Sequence, residues 1–161
     1  MTIFENFSAL FLEVWKKGLL GVDIFQILIG LLIFLIFLLF RGLISKVIIR
    51  RLKKLAKRTS NKLDDTFVEA MEGPARFLPI VIGFFIASYY LEFSPESQAF
   101  ITNVNKTLIT ILIFWLMHQF IQPVSYLLGG LEKVLSRELI GWIIKALKIL
   151  IFILGAAAVL E

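Results

Sequence analysis

Three groups of residues in this chain could do chemistry, and their types and spacing separate them. The densest is cationic. Between Arg41 and Lys62 stand nine Lys or Arg residues and no acid. Eight of them (Arg41, Lys46, Arg50, Arg51, Lys53, Lys54, Lys57 and Arg58) are candidates for binding anionic headgroups, since clustered cations beside an apolar span attract phosphate. The second group is the carboxylate pair Asp64–Asp65, followed by Glu69 and Glu72. Paired acids can do acid–base work or hold a divalent cation. Adjacent helix positions point to different sides, however, and no His or further acid is spaced to complete a site. The third is His118, the one histidine, grouped with Trp115, Gln119 and Gln122. As a proton switch it would need an ionisable partner within the same apolar surroundings, and the sequence offers none. A His bonded to backbone or headgroup is the simpler reading. With no Cys, thiol nucleophiles, thiolate metal sites and disulfides are excluded. No catalytic, cofactor-binding or metal-binding residue is assigned, and the chain is not read as an enzyme.

The elements that must position these groups are set by hydropathy. Fifty-nine per cent of the residues are hydrophobic against 18% charged, and the mean hydropathy is +0.90. A soluble domain of 161 residues cannot hide that much apolar surface, so lipid must cover part of it. Ile24 to Phe40 carries no charge and is ~26 Å long as a helix, close to a bilayer's hydrocarbon thickness. The helical pattern then continues. Leu43, Ile44, Val47, Ile48, Leu52 and Leu55 recur at three- and four-residue spacing, with Lys46, Arg50, Lys53, Lys54 and Lys57 largely on the other side. One helix is therefore expected to cross lipid and extend as a basic amphipathic rod. The net charge of +5 could suggest nucleic acid, but cations placed directly after an apolar span suit anionic lipid instead.

Before this helix, residues 1–21 carry an apolar stripe of Ile3, Phe4, Phe7, Leu10, Phe11, Val14 and Trp15. The start is acidic and Phe-rich where a secretory signal would be basic, so an amphipathic helix lying in the interface is expected. Gly18 and Gly21 break it, and Asp23 is placed to cap the next helix. After the basic rod, Leu63, Asp64 and Asp65 open a short acidic helix that Gly73–Pro74 is expected to end, with a fold-back at Thr59 to Asn61. Its acids could pair with the basic face, at only ~0 to 1 kcal/mol for each exposed pair.

Residues 22–161 are expected to hold four membrane spans at about 22–40, 75–91, 106–122 and 140–160. Pro79 falls in the first turn of the second, where a missing amide costs little. The stretch from Glu92 to Lys106 is read as a loop. Pro123 is expected to stop the third span, and Val124 to Leu139 to form an amphipathic connection. Lys145 and Lys148 lie near one end of the fourth, where long stems can reach the interface beside Trp142. Segments on one side of this arrangement hold 14 Lys or Arg, and those on the other hold 3, namely Lys16, Lys17 and Lys106. By the positive-inside rule both termini then face outward across the cell's inner membrane. The fold class is all-α, integral membrane.

The run RRLKKLAKRTSNKLDDTFVEAMEGPARFLPIVIGFFIA, Arg50 to Ala87, resembles the sensor region of MscS-type mechanosensitive channels, in particular the larger relatives with helices added before the core three. The segment Leu139 to Leu160 is similar to the helix that precedes the pore helix in that family. The resemblance implies a tension-sensing paddle, residues 22–161, in a homo-oligomeric ring that is a heptamer in the intact protein. It implies membrane lipid, above all anionic lipid, as partner, no cofactor and no nucleic acid. The family's Gly/Ala-rich pore helix and cytoplasmic β domain are not in this sequence. A non-conducting fragment, truncation or sensor-only relative is the expectation, with Gly155, Ala156, Ala157 and Ala158 packing toward the pore helix. The junction residues Leu63, Asp64, Asp65, Gly73 and Pro74 would set the step between helices. The alternative is a membrane-embedded adaptor or lipid-binding module without channel activity. A transporter would need polar groups or broken helices at the midplane, where this chain has Leu, Ile, Phe and Gly.

Overall fold

The computed structural model describes residues 6, 8, 22–56, 62–129 and 136–160. Four long helices account for nearly all of them: α1 (Ile24–Ala56), α2 (Lys62–Tyr90), α3 (Pro95–Gly129) and α4 (Arg137–Leu160). Each is long and apolar enough to cross a membrane, and the protein is an all-α membrane protein. The expected interfacial helix over residues 1–21, the fold-back at Thr59 to Asn61, and Lys57 and Arg58 lie outside the described residues.

Local chemistry sets the helix starts. The Asp23 carboxylate accepts a hydrogen bond from the Phe25 amide at 2.8 Å, and the Asp23 carbonyl takes the first helical bond from Ile27 at 3.0 Å. Asp23 is thus the N-cap of α1, as its type and position predict. α3 opens on Ser94–Pro95–Glu96. Pro95 needs no amide partner at the first helical position, and Glu96 suits the positive end of the helix dipole. Ser136 caps α4 by accepting from the Leu139 amide at 3.3 Å.

Two expected breaks do not occur. Gly73–Pro74 does not end a helix, because α2 runs unbroken through both Pro74 and Pro79. Pro79 accordingly lies in mid-helix, not in a first turn. Likewise Pro123 is internal to α3, and the expected loop from Glu92 to Lys106 shrinks to the few residues between Tyr90 and Pro95. A helix-interior proline removes one hydrogen bond and costs ~3 kcal/mol in isolation. Here Pro74, Pro79 and Pro123 are all buried, and a membrane helix held between neighbours tolerates such a defect, since ending it in lipid would expose more backbone.

The helices alternate in direction, and each packs on its neighbour in the chain. Gly83 of α2 lets Phe37 of α1 approach the backbone, and Phe34 meets Phe84 edge-on at 6.2 Å. Between α2 and α3, Phe77 lies 5.6 Å from Trp115 and Phe67 lies 5.0 Å from Phe120. The Asn105 amide donates to the Ser88 hydroxyl at 2.8 Å. Between α3 and α4, Gly155 admits Phe114, whose ring carbon would stand 2.9 Å from any added Cβ. Among the described residues no other pair of helices makes an interface of comparable extent. The result is an open row, not a closed bundle. α2 is the packed member: a third of its apolar window is buried, against 6% for each of the other three. Leu39 on α1 is 79% exposed and Phe152 on α4 is 73% exposed.

Candidate functional site

The antiparallel row gathers the C-termini of α1 and α3 and the N-termini of α2 and α4 at one end, the basic end. Arg41, Lys46, Arg50, Arg51, Lys53 and Lys54 are all exposed along α1. They are not equivalent. Lys46, Arg50 and Lys53 follow one another at four and three residues, one face of a helix. Together with the buried Ser45 they line a groove of about 350 Å³ whose other wall is Glu72 and Arg76 of α2. Arg76 pairs with Glu72 at 3.7 Å, the arginine side chain largely in solvent and the glutamate about half exposed, so that pair contributes little by itself. Arg41, Arg51 and Lys54 do not line the groove.

The spacing puts these cations largely on the side of the rod away from its apolar stripe. In the structure the apolar side is the outward one. Leu43 and Val47 are exposed, and with Phe40, Ile44 and Ile48 they form an apolar concavity of about 470 Å³. The chain thus turns part of its charge toward α2 and its apolar stripe toward the surroundings, which in water would be costly and in lipid is favourable. Arg76, Glu72 and Ser45 were not among the headgroup candidates. The signal available for the first two was their i,i+4 spacing around Gly73–Pro74, directly before an uncharged run.

A second groove runs between α3 and α4. Its middle part, about 310 Å³, is walled by Ile111, Phe114 and Trp115 on one side and Ile151, Phe152 and Gly155 on the other. Toward the end opposite the basic one it widens into a pocket of about 650 Å³ where Asn103, Lys106, Thr107 and Thr110 face Ala158 to Leu160. Gly155 is therefore buried against α3, whereas Ala156, Ala157 and Ala158 are exposed, with Ala156 and Ala158 still at the rim of this groove. Lys145 reaches back over the Trp142 ring, 5.8 Å from its centroid, in the direction of the basic end. His118 is half-buried on α3. Leu63, Asp64 and Asp65 fall in the first turn of α2, and Gly73 sits against Trp115 in its middle. Among the described residues no group of three or more His, Asp or Glu stands together as a metal would require.

The sequence is 27% identical over 148 residues to an uncharacterized MscS family protein of Aquifex aeolicus, covering 88% of this chain and 39% of that protein. It is 32% identical over 93 residues to the uncharacterized MscS family protein YhdY of Bacillus subtilis, covering 58% of this chain and 25% of that protein. The chain therefore spans well under half the length of these relatives. No family model and no solved structure matches it. The two relatives bear out the MscS-family resemblance carried by the Arg50 to Ala87 run.

Proposed function

From this MscS-family likeness, we propose that the chain is the tension-sensing transmembrane region of a mechanosensitive channel. The observation that carries the reading is the open row. Four antiparallel helices touch mainly in sequence order, and in three of them only 6% of the apolar window is fully buried. Such a sheet of helices has a large in-plane area that can change when neighbouring helices tilt, and tension favours whichever state occupies more area. A stimulus shifts an equilibrium only by its differential free energy between the states. Lipid supplies that difference by filling the α3–α4 groove in one state and leaving it in the other.

In this reading the basic end faces the cytoplasm of the inner membrane and both termini face outward. Arg41, Lys46, Arg50, Arg51, Lys53, Lys54, Lys57 and Arg58 hold that edge of the paddle to anionic headgroups. The exposed Ala156 to Ala158 face accepts the pore helix of the intact protein, which assembles as a homo-oligomeric ring. The test uses spin labels at Leu39 on α1 and Leu154 on α4, with the chain in liposomes. Lysophosphatidylcholine added to one leaflet imitates tension, and the interlabel distance distribution should shift. An unchanged distribution would overturn the proposal and leave the adaptor reading.

A further inference from the structure

We infer that the groove between α1 and α2 is a discrete phosphate-binding site that ties the two helices together at their basic ends. It deepens the headgroup reading above, but it does not depend on tension gating. Three cations of α1 (Lys46, Arg50 and Lys53) and one of α2 (Arg76) share a space of about 350 Å³ with a single carboxylate, Glu72, among the described lining residues. Like charges one helical turn apart repel, so the groove is held with an excess of three positive charges across an interface that otherwise packs apolar side chains. A phosphate relieves that excess. It accepts bidentate hydrogen bonds from guanidinium groups, and Arg50 and Arg76 supply one such group from each wall. Glu72, 3.7 Å from Arg76, occupies part of the same field and competes with an incoming anion.

The position suits a membrane ligand. Arg76 stands immediately before the uncharged run of α2, and Lys46 lies six residues past the uncharged run of α1, so the groove sits where lipid phosphates lie. The apolar concavity at Phe40, Leu43, Ile44, Val47 and Ile48 lies on another face of α1 and shares no residue with the groove, so the acyl chains of a lipid held here would run along the uncharged stretches of α1 and α2 instead. A free phosphate offers the same head chemistry without the chains.

The test measures retention of phosphatidylglycerol by the detergent-solubilised chain in native mass spectrometry, with phosphatidylcholine as reference. Two variants remove the same charge from different places: R50Q/R76Q inside the groove and R41Q/R51Q outside it. The groove variant should bind phosphatidylglycerol about tenfold more weakly, the loss expected for charge-assisted bonds, and the outer variant, whose cations also attract headgroups but share no groove, only about two- to threefold more weakly. Equal losses in the two variants mean diffuse attraction to the basic rod and overturn the site. E72Q should tighten retention several-fold, and this gain decides the matter if R50Q/R76Q fails to fold; no gain refutes the inference. Inorganic phosphate displacing the lipid from wild type identifies a site for phosphate from either source. Failure to displace it identifies a phospholipid site. A null result here leaves the spin-label test of tension sensing untouched, and the reverse also holds.

Discussion

Two identical substitutions, Gly83→Ala and Gly42→Ala, should have opposite effects on stability. Both glycines lie inside helices, where alanine is intrinsically favoured by ~1 kcal/mol. At Gly42 an added Cβ meets nothing within 4 Å, so the full propensity gain should appear. At Gly83 the added Cβ would lie 2.9 Å from Phe37 Cγ and closer still to Phe37 Cβ. Carbon atoms pack at ~3.5–4.0 Å, so α1 and α2 must part by ~1 Å to clear Phe37 Cβ, and a gap of that size forfeits about half of each contact's attraction. Phe37 Cβ is anchored to the backbone of α1 and cannot rotate aside. Overpacking of this kind costs ~1–3 kcal/mol, which offsets the propensity gain and leaves Gly83→Ala destabilised by ~0–2 kcal/mol. The two variants should differ by ~1–3 kcal/mol. Reversible unfolding of the purified chain in mixed detergent micelles, followed by tryptophan fluorescence, measures the difference. Equal stabilisation of both variants would show that α1 and α2 do not meet at Gly83.

Two more outcomes follow from the packing and from charge placement. The Asn105–Ser88 bond joins α2 and α3 near their ends away from the basic groove, and interhelical polar bonds in membranes average ~0.6 kcal/mol with a maximum near ~1.7. Asn105→Ala should lower stability by that order in the same assay, and Ser88→Ala should add little on top of it; additive losses would mean the two residues are not coupled. The absence of native cysteine allows clean topology mapping. Thiols introduced as Arg50→Cys and Glu96→Cys should react with an impermeant maleimide from opposite sides of sealed vesicles, and labelling from one side alone would invalidate the orientation.

Much of the architecture was legible from residue types. The four expected spans match the four candidate spans among the described residues because each is a long apolar run, and transfer from water to lipid is a sum over residues that needs no knowledge of neighbours. Asp23 was legible as a cap because capping is local, and the basic continuation of α1 because charge density is local too. The proline breaks were not foreseeable on the same basis. Pro74 and Pro123 read as stops, and Pro79 as a first-turn residue, when each helix is considered alone, and only burial against adjacent helices keeps α2 and α3 continuous.

Amino-acid order alone determined that lipid surrounds this protein, that four helices cross it, and that cations crowd one end. Which side of each helix meets another was decided only by the folded row. Lipid tails and leucine side chains are equally apolar, so hydropathy does not tell a packed face from a solvated one in a bilayer. The turning of Lys46, Arg50 and Lys53 toward Glu72 and Arg76, and of Gly155 toward Phe114, depends on steric fit between helices distant in the chain.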